Sequence, residues 1–347
     1  MQELFTVGKD GGTPFSENDV KEAAKVLTGH RYNPLTAPVS YYYDSTKHDT
    51  GNKTFSAFYG NTVIQGQAGT TGGSLELDAL LTMIFNTQEV AAHICRRLYT
   101  FFVYYKIDAT TEANVIQPLA TIFRNNNYDI LPVLDTLFKS EHFYDMMQIG
   151  CVIKNPMDYF VGMIREFSIA LPDNSDITKQ YKAWFHFWQQ GSYAALGLGD
   201  PNNVSGFLAY YQVPMFHELW INSDTFPKRI TEMGSLINGN NIGSQIIIQL
   251  DPLVFANSLP DPSNPDYIIA DSVQYLYSID LGQNGIDYLK SILLSGQTDP
   301  TYWIDAWNDY ANTPTNDPNY ATYYNIVYTR LKSFYQAMMS FAEYQLS

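Results

Sequence analysis

The chain of 347 residues is acidic, with 20 Lys and Arg against 35 Asp and Glu, a net charge of −15 and a pI of about 4.6. Its 45 % apolar content excludes an intrinsically disordered chain, and the lack of a basic stripe argues against nucleic-acid binding, which needs clustered Lys and Arg. No apolar run approaches the roughly 20 residues of a membrane helix. Two cysteines cannot build a disulfide framework or a cysteine zinc site.

The polar residues are Asn, Gln, Ser, Thr and Tyr more than Lys and Glu, which favours a setting outside the cytoplasm and contact with sugars. The first residues lack the basic and apolar regions of a signal peptide. Met1 lies directly on a short helix closed by Gly8, so we expect that sequence upstream of Met1 is missing. Cys95 and Cys151 lie in apolar helical contexts and are expected to be buried free thiols, with a disulfide left open.

The first predicted elements are a helix and a small β structure. Ser16 as N-cap with Asp19 three residues later is typical of a capping box, and it predicts a helix that ends at Gly29. Strand-forming residues at 38–43 and again at 54–60 predict a β-hairpin or a small sheet, with a turn at residues 50–52.

From residue 75 onward the apolar spacing is helical. The predicted helices are 75–86, 89–105, 112–126, 129–139, 156–171, 179–190, 222–238, 286–294 and 320–344. Residues 191–221 are irregular and rich in Gly, Pro and aromatic residues, and linkers are predicted at 251–266 and 312–319. The sequence therefore predicts a mainly α protein, an irregular multi-helix bundle with a small β insertion near residues 38–65, in one domain of residues 1–347.

Several short segments resemble, in order, the conserved segments of one bacterial family. E-L-F-T-V-G at 3–8 resembles its E-L-F-T-L-G, D-V-K-E-A-A-K-V-L-T-G at 19–29 resembles D-V-x-E-A-A-R-A-L-T-G-W, and H-D-T-G-N-K at 48–53 resembles H-D-x-G-x-K. Further matches are R-L at 97–98 with F-V at 102–103, I-K-N-P at 153–156, P-N-N-V-S-G-F at 201–207, W-I-N-S-D-T at 220–225 and E-Y-Q at 343–345. The chain is thus similar to the family catalogued as domain of unknown function 1800.

The chain departs from the family pattern in three respects. His30 replaces the aromatic residue after the L-T-G segment, and G-F-L-A-Y-Y at 206–211 replaces G-W-x-G-G. The family's N-terminal third has no counterpart before Met1. The resemblance implies an exported bacterial protein of unassigned activity. Members of the family often occur in bacteria that degrade polysaccharides. The resemblance thus implies a compartment but no particular reaction.

The turn around His48 contains the residues best suited to chemistry. A neutral imidazole at His48 and a carboxylate at Asp49 could perform acid–base catalysis or hold a divalent cation, while Lys53 binds an anion. The structural alternative is an Asx-turn at Asp49, a positive φ at Gly51, and pairing of His48 and Lys53 with nearby acids. Turn chemistry alone explains these residue types.

His93, Arg96 and Arg97 are expected to share one helix. Arg96 and Arg97 could bind a carboxylate or a phosphate through the planar guanidinium. The structural alternative is an arginine that ties helices together through an acid such as Glu166 or Asp158.

A sugar-binding platform is the hypothesis for the aromatic region 184–220. Stacking on a pyranose needs exposed rings with amide or carboxylate partners, whereas most large aromatic side chains fill the core. We expect core filling on the helix at 184–188, and both alternatives stay open for 191–221. The candidate ligand-binding residues here are Tyr210, Tyr211, Trp220, Asn203 and Glu218.

No cofactor is predicted, although Asp305, Asn308 and Asp309 resemble the oxygen ligands of a calcium loop and leave a divalent cation open. The leading hypothesis is a binding or assembly component at the bacterial cell envelope, periplasmic or on the cell surface, with a glycan or an envelope protein as ligand. Neither a nucleic-acid partner nor a membrane span is expected. The alternatives are a hydrolase using His48 and Asp49 with Lys53 or Arg97, and a structural scaffold without catalysis.

Overall fold

The computed structural model describes residues 1–9, 14–211, 217–243 and 245–347, apart from the side chain of Tyr211. The chain forms two compact units, Met1–Tyr144 and Asp145–Ser347. The mainly α fold with small two-stranded sheets is confirmed. The single domain of residues 1–347 stays a prediction.

The Met1–Tyr144 unit contains six α-helical segments and four short strands among its described residues. The helices are α1 Glu17–Val26, α2 Gly72–Phe85, α3 Glu89–Phe102, α4 Ala109–Thr111, α5 Gln117–Asn125 and α6 Ile130–Phe138. The strands are β1 His30–Asn33, β2 Ser40–Tyr43, β3 Lys53–Thr54 and β4 Val63–Ile64. Its core consists of two clusters of buried side chains.

The strand pairing differs from the predicted hairpin. β2 pairs antiparallel with β1, which precedes it, and β3 pairs antiparallel with β4. Residues 57–59, predicted as strand, form a turn of 3₁₀ helix instead. Strand propensity marks extended segments but does not choose partners, which depend on side chains that meet only in the folded chain.

The regular secondary structure of the Asp145–Ser347 unit is almost all helix. Its helices are α7 Pro156–Glu166, α8 Ile177–Tyr193, α9 Leu208–Tyr211, α10 Thr225–Asn238, α11 Pro252–Ser258, α12 Pro265–Leu276, α13 Gln283–Leu293, α14 Thr301–Asn312 and α15 Tyr320–Ser340. A third strand pair joins β5 Asn240–Asn241 to β6 Ile247–Ile248. The long helix α15 contacts α10, α11, α13 and α14, and its residues Leu331, Phe334 and Met338 are fully buried.

Local capping chemistry starts these helices as predicted. Ser16 and Asp19 form a reciprocal capping box, and Asn155, just before Pro156, accepts hydrogen bonds from the backbone amides of Met157 and Asp158. Asp251 caps α11 in the same way, so part of the predicted linker at 251–266 is a helix. Among the described residues, no helix combines the length and apolar character that a bilayer span needs.

Candidate functional site

The His48 side chain is enclosed between α1 and α2. Its Nδ1 lies 2.9 Å from the carbonyl oxygen of Thr28, and its Nε2 lies 3.1 Å from Oε1 of Glu76. Nδ1 is within hydrogen-bond distance of the carbonyl oxygen, and Nε2 is close enough to the Glu76 carboxylate for an ion pair. The side chains of His48 and Glu76 are 1 % and 0 % exposed, so the pair is closed to solvent.

Lys53 completes this buried pair from the first residue of β3. Its Nζ lies 2.5 Å from Oε2 of Glu76 and also donates to the carbonyl of Asp49. Glu76 accepts a further hydrogen bond at 2.7 Å from the backbone amide of Gln67. Glu76 was not among the residues predicted from the sequence. The signal that could have identified it is an acidic residue among the apolar residues of α2.

Asp49 lies at the surface of the same turn. Its Oδ1 accepts from the amide of Gly51 at 2.8 Å, and its own amide donates to the hydroxyl of Thr28 at 2.8 Å. The predicted Asx-turn is therefore present, whereas the positive φ predicted at Gly51 is wrong. Asp49 positions the turn, and its carboxylate lies 3.9 Å from Lys53 Nζ.

The acids of α1 extend these contacts to β3 and the residues that follow it. Asp19 accepts hydrogen bonds from the backbone and hydroxyl groups of Ser16 and Ser56. Burial raises the pKa of Asp19, but these hydrogen bonds outweigh that effect and hold the pKa below its usual value. Glu22 Oε2 accepts from the amide of Thr54 at 3.1 Å.

Segments 19–29 and 48–53, which carry the family resemblance, therefore meet in one place. We call the side chains gathered here the motif cluster: Asp19, Glu22, Thr28, His48, Lys53 and Glu76. Because His48 and Lys53 are enclosed beside the carboxylate of Glu76, this geometry matches the structural alternative, in which both residues pair with a nearby acid. A catalytic role for His48, Asp49 and Lys53 stays a prediction.

Arg96 and Arg97 occupy different environments on α3. Arg96 forms a bidentate pair with Glu112, at 2.8 and 2.9 Å, and contacts Glu89 at 2.5 Å. Hydrogen bonding to Glu112 raises the pKa of Arg96 despite its burial. Arg96 therefore ties α3 to the residues after α4, through acids other than the expected Glu166 or Asp158. Arg97 is exposed.

In the Asp145–Ser347 unit, a fully buried Arg229 on α10 gathers three chain segments. Its Nη2 donates to the carbonyl oxygens of Lys154 at 2.8 Å and Trp220 at 3.2 Å. Its Nη1 lies 3.4 Å from Oε1 of Gln345, and the guanidinium lies over the ring of Tyr159 at 5.0 Å. Burial lowers the pKa of Arg229 to about 10.

The segments held by Arg229 are the family-like segments 153–156, 220–225 and 343–345. Arg229 was not among the residues predicted from the sequence, because no local sequence pattern relates one arginine to three segments far away in the chain. As in the motif cluster, the recognisable segments of this unit converge on buried polar contacts. Their shared role in the structure is to hold the fold.

The aromatic residues of α8 reverse the sequence expectation. Trp184 and Phe185 are 49 % and 55 % exposed, so core filling on this helix is wrong for them, although Phe187 is buried. Phe185 and Trp188 stack at 5.4 Å with an angle of 17° between their planes. Tyr181, Trp184, Phe185 and Trp188 share one side of the helix, and we call them the α8 aromatic face.

The candidate ligand-binding residues of 203–220 are not brought together as one exposed platform. Trp220 is buried and meets Tyr210 edge to face at 5.6 Å, whereas Glu218 is exposed. Asn203 is exposed and accepts from the amide of Ser205 at 2.7 Å. The side chain of Tyr211 lies outside the described residues.

No group of three or more His, Cys, Asp or Glu side chains is placed to hold a metal ion within the described part of the chain. Asp305, Asn308 and Asp309 lie on α14, so their comparison with a calcium loop is wrong, and a divalent cation stays a prediction. Cys95 and Cys151 are free thiols, and burial raises the pKa of Cys95 to about 12.

The fold and these buried clusters define a mainly α protein in which separated sequence motifs hold helices together. The chain belongs to the family described as "Protein of unknown function (DUF1800)", which matches residues 1–346 and confirms the resemblance in the sequence. No curated protein and no solved structure matches the chain.

Proposed function

We propose that this protein is an exported binding component of the bacterial cell envelope, in the periplasm or on the cell surface, and that the α8 aromatic face binds a glycan during polysaccharide utilisation. The observation that carries the proposal is the exposure of Tyr181, Trp184 and Phe185 on one side of α8. Residues at i, i+3, i+4 and i+7 lie along a single stripe of a helix.

The exposure of these rings is energetically unfavourable without a partner. Burying one large apolar side chain contributes about 1.5–3 kcal/mol, so several adjacent exposed rings give up much of that stabilisation. The opposite side of α8 already packs into the core through Ala183 and Phe187. The outward stripe is therefore not needed to hold α8 in place, and contiguous exposed apolar patches often mark binding sites.

A glycan fits this stripe because its pyranose rings combine apolar C–H faces with hydroxyl groups. Phe185 and Trp188 are nearly parallel, which presents flat ring surfaces. Trp188 is held in position because its indole nitrogen donates to the carbonyl of Leu198 at 2.8 Å. Lys182 directly follows Tyr181, and Gln189 directly follows Trp188. Their polar groups therefore lie along one edge of the aromatic stripe.

The test compares a Trp184→Ala/Phe185→Ala variant with a Tyr267→Ala/Tyr275→Ala variant. Tyr267 and Tyr275 are equally exposed aromatic residues on α12, so they control for loss of surface rings in general. Binding to cellulose, chitin, xylan and peptidoglycan sacculi is measured by co-sedimentation. We expect binding to at least one of these glycans, weakened at least tenfold in the α8 variant alone.

Two results would overturn the proposal. One is that none of the four glycans binds. The other is that the α8 variant binds as well as the wild type or the α12 control, which would remove the aromatic face from the site. Circular dichroism of both variants ensures that a loss of binding is not a loss of fold.

A further inference from the structure

An open cleft lies beside the β1–β2 hairpin in the Met1–Tyr144 unit. Its volume is about 580 Å³, within the ~300–1,000 Å³ typical of small-molecule sites and far larger than one inorganic ion requires. The residues after α1, both strands and the 3₁₀ turn Ser45–Lys47 contribute to it. The lining residues are Leu27, Thr28, Gly29, His30, Arg31, Tyr32, Pro34, Tyr42 and Lys47.

The charge of this lining contrasts with that of the chain. The Met1–Tyr144 unit has 11 Lys and Arg against 15 Asp and Glu, a net charge of −4, and the Asp145–Ser347 unit has 9 against 20, a net charge of −11. The cleft lining contains Arg31 and Lys47 and no acid. The Nε of Arg31 lies 3.9 Å from Asp44, at the long limit of an ion pair, and half of the Arg31 side chain is exposed.

An aromatic ring lies beside the guanidinium. Arg31 and Tyr42 are directly opposed in the β1–β2 register, so their side chains project from the same face of the hairpin. Tyr42 is 46 % exposed. The cleft therefore presents a cation and a flat apolar surface side by side.

The side chain of His30 lies on the opposite face of the hairpin, with Tyr41 and Tyr43. Its Nδ1 lies 3.0 Å from the hydroxyl of Tyr41, while its Nε2 is buried and has no hydrogen-bond partner among the described residues. Adjacent residues of a strand point to opposite faces, so His30 does not meet a ligand held by Arg31 and Tyr42.

We propose that this cleft binds an acidic saccharide. Arg31 and Lys47 bind its carboxylate, and the ring of Tyr42 packs against a sugar ring. The size of the cleft and the ring of Tyr42 favour a saccharide over a bare anion. The proposal depends on residues of the Met1–Tyr144 unit and is independent of the α8 aromatic face.

The test is calorimetric titration of the full chain with tri-galacturonic acid and with its fully methyl-esterified form, which keeps the rings but removes the charges. We expect the acid to bind at least tenfold more tightly than the ester. Arg31→Gln and Lys47→Gln each weaken binding of the acid at least tenfold. Both side chains are exposed, and thermal unfolding verifies that the variants fold as the wild type does.

Lys21→Gln is the matched control, since Lys21 is exposed in the same unit and does not line the cleft. The proposal is overturned if the ester binds as tightly as the acid, if both cleft variants bind like the wild type, or if no binding occurs at millimolar concentration. Inorganic phosphate that binds as tightly as the trisaccharide would also overturn it, in favour of a simple anion site. The Trp184→Ala/Phe185→Ala variant is expected to retain full affinity, which separates this test from that of the α8 face.

Discussion

Glu76 is the carboxylate around which the motif cluster is assembled. It pairs with Lys53 and His48, and it accepts a backbone hydrogen bond from Gln67. A lysine and a histidine that are both closed to solvent are tolerated only when a paired group offsets their lost hydration. The family-like segment H-D-x-G-x-K therefore depends on a residue outside it.

Glu76→Gln is expected to destabilise the protein by about 3–5 kcal/mol, because it leaves the buried Lys53 ammonium with only the more distant, partly exposed carboxylate of Asp49. The free energy of unfolding, measured by urea denaturation, tests this. Asp78→Asn is the control, since Asp78 is an exposed acid on the same helix and its replacement should change stability by less than about 0.5 kcal/mol. A loss below 1 kcal/mol in Glu76→Gln would show that the ion pairs are dispensable.

Single residues show where sequence analysis succeeds and where it cannot. Gly8 was predicted to close the first helix, and it does adopt a positive φ of 73°. The structure adds that a Cβ there would lie 2.1 Å from the ring of His93, so the position also needs a residue without a side chain. The positive φ is a local requirement that the sequence reveals. The need to avoid the His93 ring depends on a helix some 85 residues away in the chain.

Helix α1 shows how an element is joined to its surroundings by its own cap. The capping box of Ser16 and Asp19 was predicted from a spacing of three residues and is confirmed. The sequence did not show that Asp19 also binds Ser56, which lies 37 residues away. One carboxylate thus starts α1 and fixes the segment after β3.

Asp19 gives this element a pH dependence. Because its pKa is lowered in the folded state, Asp19 stabilises the fold above its unfolded pKa of about 3.9, and this contribution is lost as the pH falls through the folded value. We expect wild-type stability to fall below about pH 4 more steeply than that of Asp19→Asn. Denaturation midpoints between pH 2 and 6 measure the difference, and parallel curves would contradict the prediction.

Helix α8 shows the limit of periodicity. Apolar residues occur on both sides of this helix, so the spacing alone could not tell which side faces the core. The structure buries Ala183 and Phe187 and leaves Trp184 and Phe185 exposed. The prediction of strand pairing was wrong for a related reason. The partners of β2 and β3 are β1 and β4, and the sequence pattern does not specify which strands meet in the folded chain.

At the scale of the whole molecule, the acidic charge is unevenly distributed. The Asp145–Ser347 unit carries −11 of the total of −15. High net charge of one sign keeps a protein soluble and discourages non-specific association. This property, with the family resemblance and the excess of Tyr and Asn, supports the proposed extracytoplasmic setting.

Export is tested directly by fractionating the bacterium that makes the protein. We expect immunodetection of the protein in the periplasmic or cell-surface fraction, because its composition and family resemblance both favour that setting. A cytoplasmic marker enzyme controls for lysis. Co-fractionation of the protein with that marker would contradict the localisation and weaken the envelope hypothesis.

Local sequence patterns predicted the mainly α class, the family and most helix starts, because caps and apolar spacing act within a few residues of the chain. Tertiary structure alone decided the partners of the buried charges and the exposed side of α8. Arg229, for example, contacts Gln345 across 116 residues, and Tyr344 contacts Glu166 across 178. Such contacts depend on how helices pack, and no local pattern encodes that geometry.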